Sequence, residues 1–144
     1  MLLLSAHSLL AQNNSPTGSV PRFVDVAPQV GLTVSHLASK EQHYIVESMS
    51  GGVCFFDCDS DGRLDIVVTN GSSVDCYRAG GDLMVTLYHQ GTDCKFTNIT
   101  EQAGLAVKGW GMGIAAADFD NDGNLDLFVT GYGHSVLYSR TRQL

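Results

Sequence analysis

Residues 57–69 read "DCDSDGRLDIVVT" and residues 118–130 read "DFDNDGNLDLFVT". Eight of the thirteen aligned positions are identical, including four aspartates and a glycine in each copy. Four carboxylates within nine residues repel one another, so a chain that gathers them twice needs positive charge to offset them. A hard divalent cation fits this need, because Ca²⁺ takes about six to eight oxygen ligands at roughly 2.3–2.6 Å. Aspartates at loop positions 1, 3 and 5 turn alternate side chains toward one centre. Glycine at position 6 permits the sharp turn, and the carbonyl of position 7 then points inward. These are Asp57, Asp59, Asp61, Gly62 and the Arg63 carbonyl in the first copy, and Asp118, Asp120, Asp122, Gly123 and the Asn124 carbonyl in the second. Arg63 serves through its backbone only, since its side chain would repel the ion.

The helix-flanked EF-hand loop closes with a bidentate Glu at position 12. Position 12 here is Val68 or Val129, inside an apolar run, so that loop type fails. The closing carboxylate is instead Asp65 or Asp126 at position 9, which lets a strand leave the loop. Mg²⁺ fits less well, because it keeps several waters and few protein ligands. Metal-free acidic turns would explain one or two aspartates, since Asp and Gly favour turns, but not four at matched offsets in both copies. The expectation is two Ca²⁺ sites.

Short strands must position these loops. "GVCFFD" (52–57) and "GIAAAD" (113–118) lead in, while "LDIVVTN" (64–70) and "LDLFVTG" (125–131) lead out, all apolar, partly β-branched and bounded by glycine. "LMVTLYHQ" (83–90) and "CKFTNIT" (94–100) read as a further pair joined at "GTD". Each unit is therefore an antiparallel meander with the acidic loop between its first two strands. "EQAGLAV" (101–107) has room for one helical turn, and no longer helical period is present. A second likeness, "FVDVAPQVGL" (23–32) to "FTNITEQAGL" (96–105), runs at an offset of 73 residues against 61 for the loops. The first unit thus carries about twelve extra residues, placed around "ASKEQHYIVESMS". The expected organisation is a signal peptide over 1–11, a polar linker over 12–22, a first repeat over 23–95 and a truncated second repeat over 96–144. The fold class is all-β, and a repeat of roughly 60 residues with short strands suggests a propeller or array, here a partial propeller of about two antiparallel blades.

Net charge is −7, and eight of the 15 acidic residues lie in the two loops, which leaves a nearly neutral body. With no basic patch, the composition argues against nucleic acid or an anionic membrane surface as partner. The opening "MLLLSAHSLLAQ" has the length of a signal-peptide apolar region without its basic start, and is too short to span a bilayer. Cys54, Cys58, Cys76 and Cys94 contain no CxxC spacing, which argues against a structural zinc site and suits an exported protein with up to two disulfides. In a meander, the loop between strands one and two shares a rim with the turn between strands three and four, so Cys58 is expected to pair with Cys94. The five histidines show no HExxH or paired metal spacing, and no GxSxG elbow is present. "GWGMG" (109–113) precedes a strand, not a helix, and reads as close packing between blades, with Trp110 in the core. Asn70 and Asn98 lie in glycosylation sequons, which matter only in a eukaryotic source.

Both loops resemble the calcium-binding FG-GAP (VCBS-type) repeat of β-propellers, which integrin α-subunit head domains also carry. The pairing of "FVDVAPQVGL" and "FTNITEQAGL" with those loops looks most like the cartilage-acidic-protein, or ASPIC/UnbV-associated, group, over roughly residues 21–138. The Phe-Gly-Gly-Ala-Pro signature is not present as such, and the domain that names the ASPIC/UnbV group is not in this sequence. The resemblance implies a secreted, periplasmic or cell-surface propeller stabilised by calcium. Its expected role is non-catalytic, in adhesion or in binding a protein or glycan. The alternative is a propeller scaffold for a larger secreted enzyme whose catalytic part lies outside these residues.

Overall fold

A computed structural model describes residues 20–140 apart from 34, 35, 37, 41, 43 and 50. The expected signal peptide, His7, His43 and most of the polar linker therefore lie outside the described residues. Strand β1 (Val53–Phe56) pairs antiparallel with β2 (Asp65–Thr69), matching Phe56 to Asp65 and Val53 to Val68. The acidic loop is the connection between them. A short helix α1 (Val74–Arg78) and strand β3 (Asp82–Leu83) follow, and β4 (Val85–Gln90) returns along the far side of β2. Strand β5 (Phe96–Asn98) closes this sheet in the order β1-β2-β4-β5. The second sheet joins β7 (Gly111–Ala117), β8 (Asp126–Gly131) and β9 (Val136–Tyr138) in sequence order, with the second acidic loop between β7 and β8. A two-stranded clip of β3 with β6 (Lys108–Gly109) ties the sheets together.

The architecture is a partial all-β propeller of two blades, as the spacing predicts. Along β2 every second residue is buried, as expected of a strand with one face on the core. Phe56, Val67, Val85 and Leu87 from the first blade meet Leu127 and Val129 from the second, with Met84 and Leu105 completing the core. Close approach explains the glycines of "GWGMG". A Cβ at Gly111 would stand 2.1 Å from the Met84 carbonyl oxygen, and one at Gly113 2.9 Å from Thr130 Oγ1. Trp110 is fully buried, beside Tyr77 and Tyr132 at ring separations of 6.0 and 5.7 Å.

The offset of 73 residues is reproduced bond by bond. Asp25 Oδ1 accepts from Ala27 N and Asn98 Oδ1 from Thr100 N, both at 3.0 Å. Val30 N donates to Val26 O as Ala103 N does to Ile99 O, and Leu32 N to Ala27 O as Leu105 N does to Thr100 O. Gly31 and Gly104 end these turns at φ of 90° and 73°, a conformation that favours glycine. Because β5 begins at Phe96, the first sheet runs past the sequence-repeat boundary at 95.

Two features depart from the sequence reading. Helix α1 is too short for a hydrophobic period to reveal, and its supports are local and tertiary. Ser73 caps it by accepting from Cys76 N, and the buried Glu47 accepts from Val74 N at 2.8 Å. Glu47 belongs to the inserted segment, within a single 3₁₀ turn (Ile45–Ser48), and also accepts from Ser39 N and Oγ. The second departure concerns the cysteines: the expected Cys58–Cys94 disulfide is not formed, and all four are free. Arg63 Nε, donating to Gln90 O at 2.8 Å, ties the first acidic loop to the end of β4, but Cys94 is exposed while Cys58 packs against the core. No helix among the described residues is long and apolar enough to cross a membrane.

Candidate functional site

The two acidic loops fold alike. Asp57 Oδ1 and Oδ2 accept from Asp61 N and Gly62 N at 3.1 and 2.8 Å, as Asp118 accepts from Asp122 N and Gly123 N at 3.0 and 2.8 Å. Asp61 Oδ1 accepts from Arg63 N, and Asp122 Oδ1 from Asn124 N, each at 2.8 Å. Position 4 is left-handed in both loops (Ser60 at φ 65°, Asn121 at 60°), and so is position 6 (Gly62 at 85°, Gly123 at 88°). Two left-handed residues separated by one aspartate, repeated 61 residues apart, wind each loop around its own carboxylates. One carboxylate oxygen from each of Asp57, Asp59 and Asp61 lies within 4.8 Å of the others, and the same holds for Asp118, Asp120 and Asp122. The Gly62 and Asp61 amides hold the Asp57 carboxyl below its usual range.

The position-9 aspartates play another part in this geometry. Asp65 and Asp126 are 1% and 2% exposed and stand outside the three-carboxylate groups. Asp65 Oδ2 accepts from Cys58 N at 2.9 Å and Oδ1 from Gln90 N at 2.8 Å. Asp126 Oδ2 accepts from Phe119 N at 3.1 Å and Oδ1 from Arg140 N at 2.8 Å. Each therefore staples the loop entry to a third stretch of chain, fixing the rim on which positions 1, 3 and 5 sit.

The loops differ at position 7. Arg63 folds its guanidinium onto Asp61 and donates Nε to Gln90 O at 2.8 Å, so the first loop carries an internal cation. In the second, Asn124 Nδ2 donates to Asp122 Oδ2 at 2.8 Å and adds no charge. His89 was not singled out by any motif. Pairing of β4 with β2 sets it beside Asp65, with Nδ1 3.0 Å from Asp65 Oδ1 and 3.8 Å from Asp59 Oδ2. The signal was the strand register rather than any spacing along the chain. Burial, then the hydrogen bond and charge of Asp65, push the Cys58 thiol up to about 12. Between the blades opens a cleft of about 670 Å³, lined by residues of both loops, among them Cys58, Asp59 and Asn124, with Arg140 beside them.

Residues 57–129 match the family model of the FG-GAP-like repeat, a span that starts on Asp57 and ends on Val129 of β8. It covers 73 of the 144 residues and contains both acidic loops. The chain belongs to the FG-GAP-like repeat family. No curated protein and no solved structure matches it. Three carboxylates facing one another on an accessible rim in each loop could hold a metal ion.

Proposed function

We propose that the chain is a calcium-binding propeller module of the cartilage-acidic-protein-like group, exported from the cell and non-catalytic, that binds a protein or glycan partner. The observation that carries this reading is the bond-for-bond agreement of the two loops, each with three carboxylate oxygens within 4.8 Å. Asp57, Asp59, Asp61 and Asp118, Asp120, Asp122 would supply side-chain oxygens, and Arg63 and Asn124 their carbonyls. Asp65 and Asp126 would close the set at position 9 with lone pairs left over from the amides they accept. Calcium would supply the positive charge that the loops lack, and binding to the folded form alone would stabilise the blades. The finer family placement is supported by the paired turn segments at 26–32 and 99–105.

Calorimetric titration tests the reading. Two Ca²⁺ per chain are expected, with Asp59→Ala and Asp120→Ala each removing one. Zero sites in the folded wild-type chain would overturn it.

A further inference from the structure

We propose that Cys58, Asp59, Asp65 and His89 form a cation site of a second kind, one that takes a thiophilic divalent metal of the zinc class. One ligand atom from each lies within 4.8 Å of all the others. A tetrahedral zinc ion bound at about 2.0–2.3 Å sets its donors about 3.3–3.8 Å apart, so no pair has to close by more than about 1.5 Å. The donors come from three places: the loop for Cys58 and Asp59, the first residue of β2 for Asp65, and the end of β4 for His89. The imidazole Nδ1 already faces both carboxylates, at 3.0 and 3.8 Å. A thiolate with an imidazole selects zinc over calcium, whose ligands are oxygens. On binding, the Cys58 thiol releases one proton to solvent, and the His89 ring moves to Nε2 the proton that its Nδ1 donates to Asp65 Oδ1 at 3.0 Å, so that the Nδ1 lone pair meets the ion.

Access and asymmetry support the assignment. Cys58 and Asp59 line the cleft between the blades, which gives the ion a path. The second repeat has Phe119 where the first has Cys58, so the site is not a property of the shared loop pattern. Asp59 and Asp65 belong both to this group and to the calcium set proposed for the first loop, so the two ions compete for them and the site is read in calcium-free protein.

Titration of the reduced, calcium-free chain with Co²⁺, a spectroscopic stand-in for Zn²⁺, tests it. A thiolate-to-cobalt charge-transfer band is expected, saturating at one ion per chain and displaced by Zn²⁺. Cys58→Ser should abolish the band, His89→Gln should weaken binding at least about tenfold, and Cys94→Ser should change neither. Cobalt binding without the band, or a band that survives Cys58→Ser, would overturn the site. His89→Gln keeps the test valid if Cys58→Ser does not fold. Calcium is read separately by calorimetry: a band without calcium binding contradicts the proposed function alone, and calcium binding without a band contradicts this inference alone.

Discussion

Replacing Asp65 by Ala should destabilise the chain even with calcium removed. The side chain is 1% exposed and its two oxygens accept the backbone amides of Cys58 and Gln90 at 2.9 and 2.8 Å. Truncation leaves both donors without an acceptor in a place water reaches poorly, at about 1–3 kcal/mol each. Partial hydration at the loop edge favours the lower half of that range, so the expected loss is about 2–4 kcal/mol, a large share of a typical domain's stability. Asp126→Ala should behave alike through Phe119 N and Arg140 N. Asp59→Ala is the comparison, because its side chain is 49% exposed and its loss should cost under about 0.5 kcal/mol in chelator. Urea unfolding in chelator, followed by fluorescence of the single Trp110, measures all three. Equal stability of Asp65→Ala and wild type, or an equal loss in Asp59→Ala, would refute the stapling role.

Gly111→Ala sets a Cβ 2.1 Å from the Met84 carbonyl oxygen and should cost about 1–3 kcal/mol or more in the same unfolding experiment. Arg63→Asn should tighten Ca²⁺ binding at the first loop about tenfold in calorimetry, since a guanidinium about 6 Å from a divalent ion costs about 1.4 kcal/mol even at the dielectric of water. At pH 8, alkylation of the calcium-free, reduced protein followed by peptide mapping should label the exposed Cys94 at least about a hundredfold faster than Cys58, whose thiol is pushed up to about 12.

The sequence made the loops legible because their pattern is local: aspartate offsets, a turn glycine and an emerging strand all fall within thirteen residues. The "GWGMG" packing and the burial of Trp110 were legible for a similar reason, since clustered glycines announce close backbone approach. What was hidden depends on contacts across the chain. Asp65 reads as a ligand in sequence, and its bond to Gln90 N appears only once β2 and β4 are in register. His89 reaches Asp65 by that same register. The five residues of α1 are too few for periodicity, and Glu47, which supports its first turn, comes from 27 residues upstream. The disulfide expectation rested on placement along a rim, which does not by itself bring two sulfurs within bonding distance, and Cys94 is exposed while Cys58 packs against the core.

The most direct test of calcium as a structural ion is thermal unfolding of the chain in calcium and in chelator, for wild type and for the Asp59→Ala, Asp120→Ala double variant. A higher midpoint in calcium for wild type, rising with calcium concentration and absent from the double variant, is the result predicted here. Coincident midpoints for a wild-type chain that is folded in both conditions would contradict it.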